Sequence, residues 1–203
     1  SCETPIKLLS GNIKMSCTGK DCIGAGSYDG CCGIETGDAF IDVNCSGDNA
    51  IALGSLCGYV NIRISGTKLM LRALGERAGC IGALSALEGD TPSMIDIRNA
   101  SLDLLMKAMR GAAVGCRKTE CDLSISNSDF AIHIEGEQVA GIGSAEGKGT
   151  LSAGSSNIKI KSLSGVYSID VGFANGKTTL NNTVINSATI NDPDYHESER
   201  AMQ

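Results

Sequence analysis

The residues of this chain with chemistry to offer are ten cysteines, two histidines and a set of acids and bases spaced along short apolar alternations. The cysteines are Cys2, Cys17, Cys22, Cys31, Cys32, Cys45, Cys57, Cys80, Cys116 and Cys121, so the last 82 of the 203 residues have none. No CxxC pair occurs, and His133 and His196 each stand alone, so zinc-ligand spacing is missing and no metal is expected. An even cysteine count with little histidine reads as disulfides, which implies an oxidising, extracytoplasmic setting. The opening SCETPIKLL suits a mature product after signal removal. The acids and bases give no catalytic constellation, and no cofactor is expected. The corners of IGxGS type lack GxxxxGK[ST] and a following helix, which argues against nucleotide binding.

Composition narrows the classes further. The formal net charge is −6 and no basic stripe appears, which argues against nucleic acid as a partner. No apolar run approaches ~20 residues, so no membrane span is expected. Hydrophobic residues make up 42% but aromatics only 3%, so Ile, Leu, Val, Ala and Met must fill a narrow core. Glycine is abundant at 26 and proline scarce at 3, as many tight turns require.

The elements that position these residues come from a repeat. A small-residue signature recurs with glycines at Gly24, Gly54, Gly82, Gly115, Gly143 and Gly172, a period near thirty. Before each lies an apolar column, Ile13, Ile41, Leu69, Leu102, Ile132 and Ile158. Seven residues earlier lies another, Ile6, Ile34, Ile62, Ile95, Ile125 and Leu151. Alternation has period two, as in Ile13-x-Met15-x-Cys17. Turn residues separate the runs: SG at 10–11 and 65–66, RN at 98–99, SNS at 126–128 and NGK at 175–177. Three strands and three corners per unit predict an all-β parallel β-solenoid (β-helix) of about six to seven triangular coils of ~28–33 residues. The coils run 4–33, 34–58, 59–89, 90–120, 121–148 and 149–177, with a more polar partial coil at 178–192. One domain at 1–192 and a polar tail at 193–203 follow. Segment 102–115 alone would pass for an amphipathic helix, and a β-sandwich or α/β form is the rival architecture. Its place in the columns argues for strand.

The columns place the cysteines. Cys17 and Cys45 are equivalent inward positions on successive coils, ~5 Å apart and within disulfide reach. Cys116 and Cys121 bracket a short RKTE loop, and Cys31, Cys32 and Cys57 share a corner. Cys22 and Cys80 neighbour the inward Ile23 and Ile81, so they are expected to face outward. With Cys2 at the N-terminus they are candidates for bonds between subunits. Sequons put candidate glycosylation at Asn44, Asn99 and Asn181. The outward rows read Lys14, Asp42, Met70, Asp103, His133, Lys159 and then Ser16, Asn44, Arg72, Leu105, Glu135, Lys161. A solvated face explains them simply, since exposed ion pairs are worth little.

Acids and bases on one such face resemble the arrangement in pectate lyases and polygalacturonases, which would imply an acidic sugar as substrate. The short coils here lack the long loops that wall a sugar cleft. The small-residue corner followed by alternating strands resembles the β-solenoid repeats of bacterial and archaeal surface proteins. With cysteine-rich coils and few aromatics, it resembles more narrowly the amyloid-like sheath (hoop-forming) proteins of filamentous methanogenic archaea. That resemblance implies a non-enzymatic structural subunit whose partner is itself, in an extracellular, disulfide-hardened sheath or filament. An adhesin or carbohydrate-binding solenoid that takes glycans is the alternative, and a polysaccharide-lyase-like enzyme the third reading.

Overall fold

Alternation of apolar and polar residues gives each short run one face to bury, and parallel stacking of successive runs buries it. The structure is a computed structural model. It describes residues 5–85 and 91–191, without the side chains of 164–167 and 189–191. Twelve strands follow in order: β1 (Ile6–Thr18), β2 (Asp21–Ser27), β3 (Cys32–Ser46), β4 (Asn49–Cys57), β5 (Val60–Ser65), β6 (Lys68–Ser85), β7 (Ser93–Arg98), β8 (Ser101–Cys116), β9 (Cys121–Ser126), β10 (Asp129–Gly154), β11 (Asn157–Asn181) and β12 (Val184–Asn191). No helix occurs among the described residues, so none is long and apolar enough to cross a membrane. Residues 102–115 lie in β8, as the column pattern requires.

All pairings are parallel, and the chain is a β-solenoid of about six turns. Three faces repeat. The first has the inward column Ile6, Ile34, Ile62, Ile95, Leu123 and Leu151. The second has Ile13, Ile41, Leu69, Leu102, Phe130, Ile158 and Ile185. The third stacks Ala25, Leu53, Ile81, Val114, Ile142 and Val171. Between the end coils these side chains, aliphatic but for Phe130, are buried and form one continuous core. With so few aromatics, the core is filled by stacked Ile, Leu and Val at the coil spacing of ~4.8 Å.

The corner between the first and second faces shows how residue type fixes the turn. Gly66, Asn99, Asn127, Ser155 and Asn182 hold φ of 63, 50, 47, 50 and 49°. Glycine reaches this left-handed region at no cost, and Asn tolerates it. The next residue in four of these corners is Thr67, Ser128, Ser156 or Thr183. Each hydroxyl donates to the carbonyl two residues back, at 2.9, 2.8, 2.9 and 3.2 Å. The same Ser128 oxygen accepts the Ala100 amide at 3.1 Å, and Ser156 accepts that of Ser128 at 3.2 Å. The hydroxyl thus satisfies a buried amide of the preceding coil and a carbonyl of its own.

On the third face a glycine ladder is enforced by contact. A Cβ on Gly54, where φ is +147°, would lie 1.8 Å from the Gly82 carbonyl oxygen. The aligned ladder is Gly26, Gly54, Gly82, Gly115, Gly143 and Gly172. The first coil therefore enters through Gly26, two residues after the Gly24 expected from sequence. The fifth coil shifts likewise: Leu123 and Phe130 occupy the columns assigned to Ile125 and Ile132. The seven-residue offset survives in both registers, and a two-residue slip leaves every side chain on its own face. Alternation cannot distinguish the two. The corner does, because Asn127 stacks under Asn99.

Candidate functional site

Three places hold chemistry: the outer side of the second face, the thiol-bearing coils, and the two ends of the stack. On the second face the corrected register sets the rows. Lys14, Asp42, Met70, Asp103, Ala131, Lys159 and Asn186 form one outward row. His133 moves to the next row, between Leu105 and Lys161, and Glu135 lies between Lys107 and Leu163. Glu135 is held on both oxygens, by His133 Nε2 at 2.9 Å and Lys107 Nζ at 2.7 Å. Asp42 meets the Asn44 amide at 3.4 Å and Arg72 at 3.7 Å. Ala131, between Asp103 and Lys159, is too small to fill its place in the row. A shallow hollow of about 260 Å³ results, edged by Asp103, His133, Lys159 and Lys161. On the first face Lys7, Glu35 and Arg63 form a charge ladder at 3.7 and 3.6 Å.

The cysteines are placed in part as expected. Cys17 and Cys45 are direct register partners. Both are thiols in the structure. Directly stacked residues hold their Cβ atoms near the ~4.8 Å coil spacing, longer than the ~3.8 Å a disulfide prefers, so a bond needs a local squeeze. Cys22 contacts both from the neighbouring face and donates to the Cys17 carbonyl at 2.9 Å. Burial, then the contacts with Cys17 and Cys45, push the Cys22 thiol far up. Cys31 is disulfide-bonded. Cys32 is buried beneath Val60, and Cys57 ends β4 at the same corner. Cys2 lies outside the described residues.

The expectation that Cys22 and Cys80 face outward is overturned: both are fully buried. Strict alternation is the faulty assumption. The third face is apolar on both sides. Ile23 packs with Ile51, Leu56 and Leu84 in a small outer cluster, which turns Cys22 into the main core, while Cys80 and its neighbour Ile81 both lie in that core. Burial raises the Cys80 thiol to about 12. A bond from either residue to another subunit would require the coil to open.

A buried polar corner escaped the sequence reading. Arg117, only 6% exposed, makes a two-pronged ion pair with Glu146, Nε–Oε1 at 2.7 Å and Nη2–Oε2 at 3.2 Å. Ser144 donates to the Arg117 carbonyl at 2.9 Å. Cys116 and Cys121 are buried thiols in contact with one another here. Burial pushes the Cys116 thiol up, but hydrogen bonds from Cys121, Ser93 and Thr119 outweigh it and bring it down to about 7. Cys121 is driven the other way, first by that same hydrogen bond and then by burial. The one available signal was the charge-rich RKTE insertion between small apolar residues.

Of the sequons, Asn99 is exposed at its left-handed corner, Asn181 is exposed at the end of β11, and Asn44 is half-buried beside Asp42. Among the described residues no three His, Cys, Asp or Glu side chains are placed to hold a metal ion.

The ends differ from the interior. Among the described residues β1 pairs only with β3, β2 only with β4, and β12 only with β11. Among the described residues, five of the seven exposed large hydrophobics lie in these end coils: Ile6 at 38%, Leu9 at 52%, Tyr28 at 63%, Leu180 at 42% and Val184 at 57%.

Comparison with protein-family models, curated proteins and solved structures finds no match. The likeness to sheath proteins therefore rests on the repeat pattern alone.

Proposed function

We propose that this chain is a structural subunit that self-assembles into an extracellular sheath or filament. The observation that carries the reading is the pair of open edges. Among the described residues, the first and last coils pair on one side only and expose apolar side chains that interior coils bury. Exposed parallel edges are templates for further strands, and proteins that do not use them cover or charge them. The resemblance to hoop-forming sheath proteins and the cysteine-rich first four coils agree with an extracytoplasmic place. Cys22 and Cys80 are buried thiols, so neither offers a bond between subunits while the coil is folded. Sedimentation of the purified chain over a concentration series tests this. Assembly should grow with concentration and fall in Leu9→Lys and Val184→Lys, which charge the edges without touching the core. A particle that stays at the 20.9 kDa of the single chain throughout would overturn it.

A second reading, a glycan-binding solenoid, is favoured by the hollow beside Ala131. It predicts retention of the monomer on a glycan array, lost in Lys159→Ala and Asp103→Ala with folding intact. Equal retention by both variants would exclude the hollow.

A further inference from the structure

Self-assembly leaves open which surfaces meet, and the register of the coils narrows the choice. The outer edge of β1 and that of β12 are the two sides of one repeating parallel ladder. Each interior coil joins its neighbour by matching these same two sides, so the edges are complementary by translation.

The apolar columns match as well. At the first edge, Ile6 on the first face precedes Ile13 on the second by seven residues. At the last edge Thr178, which follows Leu151 in the first column, precedes Ile185 by the same seven. Leu8 and Leu180 belong to one inward column of the first face, since Leu8 stacks on Thr36 and Leu180 on Ala153. A second copy set on the last coil therefore brings Leu8 over Leu180 and Ile13 over Ile185. Both faces come into register together.

We infer that copies of this chain stack head to tail, with the first coil of one continuing the ladder of the last coil of the next in unbroken register. The inference rests on the self-assembly proposed above and adds its geometry. A two-fold contact between two first coils would leave Leu180 and Val184 exposed. The translational contact covers both edges and repeats from copy to copy, into a filament or, where the rotation between copies closes, a ring.

Cross-linking tests the register. Lys14 and Asn186 belong to one outward row and are both exposed, so the stack sets Lys14 of one copy beside Asn186 of the next. Their Cα atoms would be ~4.8 Å apart, within disulfide reach. Lys14 and Ala188 would be ~8 Å apart, beyond it. Lys14→Cys is mixed with Asn186→Cys, and separately with Ala188→Cys, under mild oxidation. Peptide mapping then identifies the linked residues against the native cysteines. Each variant is checked for folding by circular dichroism. The expected result is a 14–186 bond formed at least about tenfold faster than 14–188, because only the first pair meets the disulfide distance. A dominant 14–188 or 14–14 bond, or assemblies with no 14–186 bond, would overturn the head-to-tail register while leaving self-assembly standing. Folded variants that never associate would overturn both.

Discussion

Replacing Gly54 by alanine should be among the most damaging single-methyl changes available to this chain. Two costs add. Gly54 has φ of +147°, a region where non-glycine residues store about 1–3 kcal/mol of strain. The new Cβ would also sit 1.8 Å from the Gly82 carbonyl oxygen, which belongs to the next coil's backbone and is not a flexible side chain. Relief requires the coils to part by more than ~1 Å, which weakens the flanking ladder hydrogen bonds, each worth about 1 kcal/mol. A total near 3–6 kcal/mol follows from these terms. Gly30→Ala is the control. Its φ of +82° also disfavours a side chain, but no atom lies within 4 Å of the added Cβ. Its cost should be about 1–2 kcal/mol. In urea titration followed by circular dichroism, Gly54→Ala should lower the midpoint by roughly 1–2 M more than Gly30→Ala does. A broadened or split transition is also in keeping, because a fault in mid-stack uncouples the repeats on either side. Equal midpoints for the two variants would refute the carbonyl-on-glycine stacking, and with it the register of the third face.

Two further outcomes follow from named contacts. Ser128→Ala removes a hydroxyl that serves the Ser126 carbonyl and the buried Ala100 amide, and stranding that amide should cost about 1–3 kcal/mol in the same assay. Ser128→Thr, which keeps the hydroxyl, should recover most of the loss. Cys116, held down to about 7, should give a thiolate absorbance step near that pH which disappears in Cys116→Ser. Because the folded value lies below the ordinary thiol value of 9.0, its contribution to stability is fully present above pH 9 and is lost as pH falls through 7. A stability advantage over Cys116→Ser that shrinks as pH rises over that interval would contradict the sign.

Much of the fold was legible because its determinants are local and repeated. The offset of seven between Ile6 and Ile13, kept in later coils, reflects one strand plus one corner; seven residues is also two helical turns, and it is the period-two alternation within each run that marks strand. The face of each strand residue on the first two faces was legible for the same reason. What misled was register and sidedness. Ile125 for Leu123, and Gly24 for Gly26, are two-residue slips that alternation permits. The left-handed corners at Asn99 and Asn127 resolve the first, and the carbonyl contact of Gly26 with Gly54 resolves the second. His133 was set beside Asp103 by the same slip, and the hollow at Ala131 went unseen with it. Cys22 was misplaced because Ile23 packs outside with Leu56 and Leu84, and Cys80 because it and Ile81 both lie in the core. Nothing in a period-two pattern announces a strand that is apolar on both sides. The Arg117–Glu146 pair joins residues 29 apart, so it became visible only once adjacent coils were stacked.

The most direct test of the assembly is electron microscopy of the native particles, with diffraction along their long axis. Head-to-tail stacking predicts filaments with one meridional spacing near 4.8 Å that runs through subunit boundaries. Discrete 20.9 kDa particles, or filaments whose strands lie along the axis, would contradict it.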